Sequence, residues 1–146
     1  MMNDILDEIR KMAALAAKDL RSRSPKMDGT AIFAEEEYIP DWKAEKDYTD
    51  VIVGAPVQFE GQVYTLLQPH NASYYQNTPS ELPALWRISH TKAPKKAKPW
   101  VKPVSTSDMY LKGECMLWND GKVYSAERDT AFSPEEFAPD WKEIIL

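Results

Sequence analysis

The sequence predicts a mainly β protein in which an N-terminal α-helix precedes two small antiparallel β modules. Three observations support this fold class. Apolar residues near the N-terminus recur at spacings of three and four, which is the period of an amphipathic helix. Two later stretches, "VQFEGQVYTLL" and "LWNDGKVYS", place β-favouring residues on both sides of a turn. The echo of "GQVY" at 61–64 in "GKVY" at 121–124 indicates a repeated unit of about 45 residues.

The N-terminal helix is predicted from residues that fall on one face of about five turns. They are Met2, Ile5, Ile9, Met12 and Ala16. A helix of this length is marginal in water unless its apolar face is covered. The face could pack on the protein's own modules, or it could associate with copies of itself or with a larger assembly. We expect residues 1–34 to form this helix and a flexible tether.

The repeat predicts the division of the remaining chain. Residues 35–89 form the first module and residues 100–146 form the second, which is a degenerate copy. Residues 90–99 are rich in Pro and Lys, and we expect them to form an extended linker. Each unit is too small to fold without large buried rings, so most of the Trp residues and Tyr64 and Tyr124 are expected in the cores.

Composition and charge narrow the function classes. The net charge of −5 argues against a general nucleic-acid binder, and no apolar run is long enough to cross a membrane. The single cysteine excludes an internal disulfide framework. His70, His90 and Cys115 are too far apart in sequence to suggest a zinc site. We expect no metal and no cofactor.

Catalysis has no support in the sequence. The carboxylate runs at 35–37 and 135–136 are typical of solvated surfaces, and no phosphate-binding loop or nucleophile elbow occurs. We therefore expect a protein that is not an enzyme and has no catalytic residues.

The first module resembles the chitin-binding type 3 domain, carbohydrate-binding module family 5/12. The pattern of that family is matched by Tyr48, Gly54, Val57, Phe59, Gly61, Tyr64, Leu67, Gln68, His70, Pro79, Pro83, Leu85 and Trp86. The second unit resembles it more weakly, because its glycines are one residue further apart and no Gln-x-His segment follows Tyr124. The resemblance implies tandem carbohydrate-binding modules.

The candidate carbohydrate-binding residues are implied by the resemblance and by one position at which this chain departs from the family pattern. Family members that bind chitin usually present an exposed aromatic residue where this chain has Asn77. Tyr74 and Tyr75 lie just upstream and could replace it, and the matching position of the second unit is Phe132. Gln68 and His70 are the nearby polar candidates. For His70, a role in holding the loop through backbone hydrogen bonds is the alternative.

The wider arrangement resembles small tailed-bacteriophage proteins of the virion or its tail. It implies a non-catalytic virion protein made in the cytoplasm of a bacterial host, with host attachment through surface glycans and other virion proteins as partners. Self-association through the helix and polysaccharide binding are the further expected contacts. Two alternatives stay open: a purely architectural assembly or decoration protein without glycan binding, and a chitin-binding accessory protein.

Overall fold

The order of the elements follows the predicted order. A computed structural model describes residues 2–146. The elements are α1 (Met2–Arg23), α2 (Gly29–Phe33), β1 (Pro56–Phe59), β2 (Gln62–Leu66), β3 (Trp86–Ile88), β4 (Lys98–Pro99), β5 (Cys115–Leu117), β6 (Val123–Ala126) and β7 (Trp141–Ile144). The predicted N-terminal helix followed by two small, mostly antiparallel sheets is confirmed. The sheets hold 22% of the residues, so the description "mainly β" is too strong.

The first sheet has the strand order β1-β2-β3. Its hairpin pairs Val57 with Tyr64, and a two-residue turn at Glu60 and Gly61 joins the strands. Both turn residues have positive φ, 48° and 78°, which is the conformation that tight hairpin turns require. β3 joins the far side of β2, where Trp86 pairs with Leu66. The hairpin predicted from "VQFEGQVYTLL" is therefore present.

The second sheet has the strand order β4-β5-β6-β7. Its central hairpin pairs Met116 with Tyr124, and Gly121 in the turn has a φ of 81°. β4 pairs in parallel with β5, which places Lys98 opposite Met116. The second sheet thus takes a strand from the segment that the sequence predicts to be a linker.

The two modules contain an equivalent backbone hydrogen bond. The N–H of Gly54 donates to the Leu66 carbonyl at 2.8 Å, and the N–H of Gly113 donates to the Ala126 carbonyl at the same distance. Both glycines have positive φ, 97° and 90°, which is why this position favours Gly in each unit. The repeated glycine pattern in the sequence therefore corresponds to a repeated local structure.

Each sheet has its own aromatic core. In the first, Trp86 is buried and meets the ring of Tyr48 edge-on, with the centroids 5.1 Å apart. In the second, Trp141 is buried and meets Tyr110 in the same way at 5.3 Å. Rings of this size supply apolar surface that a unit of about 45 residues otherwise lacks.

The end of α1 packs on the first module. Leu20 is fully buried with Phe33 of α2 and Val63 of β2. Arg23 donates to Glu35 at 2.6 Å and 2.8 Å, and this contact lowers the pKa of the Glu35 carboxyl. The segment expected to be a flexible tether is therefore held against the module, because its apolar side chains complete a core that the helix period alone does not reveal.

The segment 90–99, predicted to be an extended linker, makes contacts on both sides. Thr91 is fully buried and bridges to Cys115, and the N–H of Lys92 donates to the Thr30 hydroxyl at 2.8 Å. Gln62 of the first sheet donates to the Pro99 carbonyl at 2.9 Å. These contacts hold the segment against both modules and α2.

Candidate functional site

The first aromatic surface, which we call the tyrosine surface, consists of Tyr74 and Tyr75. The two residues follow β2 at the end of a short 3-10 turn, Ala72–Tyr74. Tyr74 is 83% exposed and Tyr75 is 41% exposed. Because both rings are accessible, they can contact a ligand. Binding would remove their apolar surface from water, which favours association.

Short-range hydrogen bonds fix the backbone under the tyrosine surface. The Asn71 side chain accepts from the Ser73 N–H at 3.0 Å and from the Ser73 hydroxyl at 2.6 Å. The N–H of Tyr75 donates to the Ala72 carbonyl at 3.0 Å, and the N–H of Ala72 donates to the Lys46 carbonyl at 2.9 Å. The turn is therefore built before any ligand arrives, which reduces the entropy lost on binding.

The buried side chain of His70 packs against the tyrosine surface. Its Nδ1 lies 2.8 Å from the Gln68 carbonyl oxygen, and its own carbonyl accepts from the N–H of Tyr48 at 2.7 Å. Its buried ring meets the ring of Tyr75 edge-on at 5.6 Å. No described residue bonds to the buried Nε2. The geometry gives His70 the loop-holding contacts that were the alternative to a sugar contact.

Gln68, the other polar candidate, and Asn77, where the family pattern has an aromatic residue, both lie on the surface. Gln68 is exposed in the loop after β2. Asn77 is exposed too, just before a turn in which the Glu81 carboxylate accepts from the Thr78 N–H at 2.9 Å. This hydrogen bond is the largest cause of the lowered pKa of Glu81. The position that lacks the expected ring is therefore accessible and sits beside a fixed turn.

The second aromatic surface, which we call the phenylalanine surface, consists of Phe132 and Phe137. They are 53% and 43% exposed, and their ring centroids lie 6.4 Å apart. The guanidinium of Arg128 lies 6.0 Å from the centre of the Phe137 ring. The rings border an open cleft of about 310 Å³ that also includes Asp129. The cleft combines apolar rings with both a cation and a carboxylate.

Buried polar groups position the phenylalanine surface. The indole N–H of Trp141 donates to the Phe132 carbonyl at 2.7 Å. Asp140 is buried; it accepts from the Thr130 hydroxyl at 2.6 Å and lies 2.8 Å from Nε of Arg128. The residues predicted from the sequence did not include Phe137 or Arg128. An available signal for Phe137 was its place outside any strand pattern, between the carboxylate run at 135–136 and Pro139.

One family model matches part of the chain. Residues 41–87 match the model of carbohydrate-binding module family 5/12. The matched segment runs from Asp41 into β3 and contains the whole tyrosine surface. The phenylalanine surface and the second sheet lie outside it. No curated protein matches the chain.

The family 5/12 match supports a carbohydrate-binding-like function for the first module. Within residues 2–146, no three His, Cys, Asp or Glu side chains converge as a metal site. No helix in that range is long and apolar enough to cross a membrane.

The residues predicted for assembly lie on the first turns of α1. Ile5, Ile9 and Met12 are 59%, 56% and 67% exposed, and Ala16 is half-buried. Met2 begins α1, but its side chain lies outside the described residues. Packing of this face on the protein's own modules was one of the two expected roles. The described residues of the face do not show that packing, because Ile5, Ile9 and Met12 stay exposed.

Proposed function

We propose that the chain is a non-catalytic polysaccharide-binding protein whose first module contacts sugar rings through Tyr74 and Tyr75. The observation that carries this proposal is the exposed tyrosine pair on a prebuilt turn inside the segment that matches family 5/12. A pyranose presents an apolar face of C–H groups, and an exposed aromatic ring offers it a flat, polarisable partner.

The polar groups have separate roles in this proposal. Gln68 is exposed near the turn and can exchange hydrogen bonds with sugar hydroxyls through its amide. His70 positions Tyr75 from the core and does not need to reach the ligand. A small number of polar groups around rigid rings is sufficient for selectivity among sugars.

The proposal includes the second module, which we take to be a degenerate carbohydrate-binding module. In the resemblance of the second unit to the family, Phe132 matches the position of the stacking residue, and Phe137 lies beside it with Arg128 over its ring. Since the segment 90–99 is packed against both modules, binding at one surface would hold the other near the same polymer. Two weak sites on one chain then give a higher overall affinity.

The biological setting is a further part of the proposal. The helix followed by two small β modules resembles small virion or tail proteins of tailed bacteriophages. There the protein would be made in the host cytoplasm, join other virion proteins and contact host surface glycans. A chitin-binding accessory protein would use the same surfaces.

A purely architectural role is the second candidate. Asn77 in place of the family's exposed ring and the exposed apolar face of α1 favour it. In that role the modules serve as spacers, and α1 makes the assembly contacts, including contacts with copies of itself.

Sedimentation with insoluble chitin and with isolated bacterial cell walls tests between these roles. The wild-type protein should be retained on one matrix, and a Tyr74→Ala/Tyr75→Ala/Phe132→Ala variant should lose retention while staying folded. Tyr38→Ala is the matched control, because Tyr38 is 42% exposed and lies outside both aromatic surfaces. Equal behaviour of the triple variant and wild type, or no retention on either matrix, would contradict carbohydrate binding and favour the architectural role.

A further inference from the structure

The cleft at the phenylalanine surface carries a net negative charge. The charged residues that line it are Arg128, Asp129 and Asp140, one cation and two carboxylates, so their charges sum to −1. Its other lining residues are uncharged, and two of them are the rings of Phe132 and Phe137. An additional positive group would therefore be attracted to this cleft.

One carboxylate and one ring of the cleft already share a cation. The Nε of Arg128 lies 2.8 Å from Oδ1 of Asp140, whose side chain is only 5% exposed. The guanidinium of Arg128 also lies 6.0 Å from the centre of the Phe137 ring. A positive group beside a carboxylate and over an aromatic face is attracted by both, because the face of the ring is its negative side. Arg128 therefore shows what kind of group the cleft stabilises.

A second carboxylate and a second ring line the same cleft without a cation. Among the described residues, none forms an ion pair with Asp129, and no cationic side chain lies over the Phe132 ring. Oδ1 of Asp129 accepts from the Lys112 N–H at 2.8 Å, which orients the carboxylate. Phe132 is 53% exposed, and the Trp141 indole donates to its carbonyl. Both groups are therefore held in place and accessible to a ligand.

We propose that the phenylalanine surface binds a sugar ring that carries a primary ammonium group, such as a deacetylated unit of chitin. The apolar face of the sugar packs on Phe132, and the ammonium donates to Oδ2 of Asp129. An ammonium has only N–H donors, so it complements a carboxylate, whereas an N-acetylated sugar has no charge to offer Asp129. This inference rests on the proposed carbohydrate binding and specifies the sugar for the second module.

The tyrosine surface does not share this charge. From residue 67 to residue 78 the sequence contains no Asp, Glu, Lys or Arg. Its exposed polar side chains near the rings, including Gln68 and Asn77, are neutral amides that can bond to uncharged sugar groups. The preference for an ammonium group is therefore expected at the phenylalanine surface alone.

An NMR titration of the full chain measures binding at each surface separately. The probes are the β-1,4-linked trisaccharides of glucosamine and of N-acetylglucosamine at pH 6, where the free amine is protonated. The backbone amide signal of Phe132 should report an affinity about five-fold higher for the glucosamine trisaccharide. This preference should decrease as salt increases, because the charges are exposed. The Tyr74 amide signal should show no such preference.

Asp129→Asn tests the role of the carboxylate. The variant keeps an oxygen that can accept from the Lys112 N–H and removes the charge, so the preference at Phe132 should disappear while the fold is kept. Glu127→Gln is the matched control, because Glu127 is exposed and loses the same charge without lining the cleft. The control should keep the preference. Equal loss in both variants would show a general attraction of cations to an acidic protein and overturn the proposal.

The remaining outcomes separate this inference from the proposed function. Equal affinity of both trisaccharides at Phe132, or binding at Tyr74 alone, would overturn the ammonium preference and leave carbohydrate binding in place. If neither trisaccharide shifts either signal, the proposed function fails as well. Trilysine has the same net charge as the glucosamine trisaccharide but no sugar ring. Binding of trilysine at Phe132 with equal affinity would show a site for peptide ammonium groups and overturn the assignment to a sugar.

Discussion

Tyr48 and Tyr110 hold equivalent positions in the two modules. The phenol oxygen of Tyr48 accepts from the Lys43 N–H at 3.1 Å, and that of Tyr110 accepts from the Val101 N–H at 3.2 Å. Each ring also packs edge-on against the tryptophan that begins the last strand of its sheet. Each tyrosine therefore ties the start of its module to its core.

Removing either hydroxyl should destabilise the protein by a similar amount. Tyr48→Phe and Tyr110→Phe each leave a backbone N–H without its partner and keep the ring, so we expect a loss of about 1 kcal/mol in the free energy of unfolding. Urea denaturation followed by tryptophan fluorescence measures it. No loss in Tyr110→Phe, beside a normal loss in Tyr48→Phe, would show that the second module does not use its tyrosine in the same way.

Gly29 should not tolerate a side chain. A Cβ at this position would lie 2.0 Å from the carbonyl oxygen of His90, where α2 meets the segment between the modules. Gly29→Ala should therefore lower the free energy of unfolding by about 2 kcal/mol or more. Gly61→Ala is the control, because it has open space and tests only the strain of its positive φ. A smaller effect of Gly29→Ala than of the control would contradict the packing of α2 on His90.

His90 should make stability depend on pH. Its ring stacks on Tyr110 at 3.7 Å, and burial lowers its pKa from 6.5 to about 4. Between these values the unfolded chain binds a proton that the folded protein does not, so the contribution is complete above pH 6.5 and is lost as pH falls toward 4. The two pKa values correspond to roughly 3 kcal/mol.

Urea denaturation at pH 4.5, 5.5, 6.5 and 7.5 measures this dependence, with His90→Gln as the control. Burial raises the pKa of Asp108, so that residue contributes a slope of opposite sign in both proteins. The wild type should lose more stability than His90→Gln as pH falls. Parallel curves would show that His90 is protonated equally in the folded and unfolded states.

The sequence predicted the local elements well. The glycines and strand residues of each hairpin determine the turns, because positive φ and alternation are properties of short segments. The parallel pairing of β4 and the packing of Leu20 on Phe33 were missed. Both depend on residues distant in the chain, and no local pattern encodes such contacts.

The candidate site was predicted in part, because only the residues that belong to a local motif could be found from the sequence. Tyr74, Tyr75 and Phe132 could be named from a motif, and the structure leaves all three exposed. Phe137 joins Phe132 only through the fold of the loop that Trp141 holds. A side chain that acts through tertiary neighbours leaves little signal in its own segment.

Placing an aromatic residue at position 77 should strengthen the proposed sugar binding. Asn77→Trp places an indole at an exposed position beside the fixed turn of Thr78 and Glu81. An added stacking ring should contribute about 1 kcal/mol, which is roughly a five-fold gain in affinity for insoluble chitin. Depletion isotherms measure it, and Asn77→Ala is the control. An unchanged isotherm for Asn77→Trp would show that residue 77 does not border the binding surface.

The most direct test of the carbohydrate-binding account is a depletion isotherm on insoluble chitin for three proteins: wild type, Tyr74→Ala and Tyr38→Ala. Tyr74 is 83% exposed and Tyr38 is 42% exposed, so neither substitution should alter the core. We predict that Tyr74→Ala weakens binding about ten-fold, because the contact of one stacking ring is lost, while its unfolding curve stays unchanged. Tyr38→Ala should bind as the wild type does. Identical isotherms for Tyr74→Ala and wild type would contradict it.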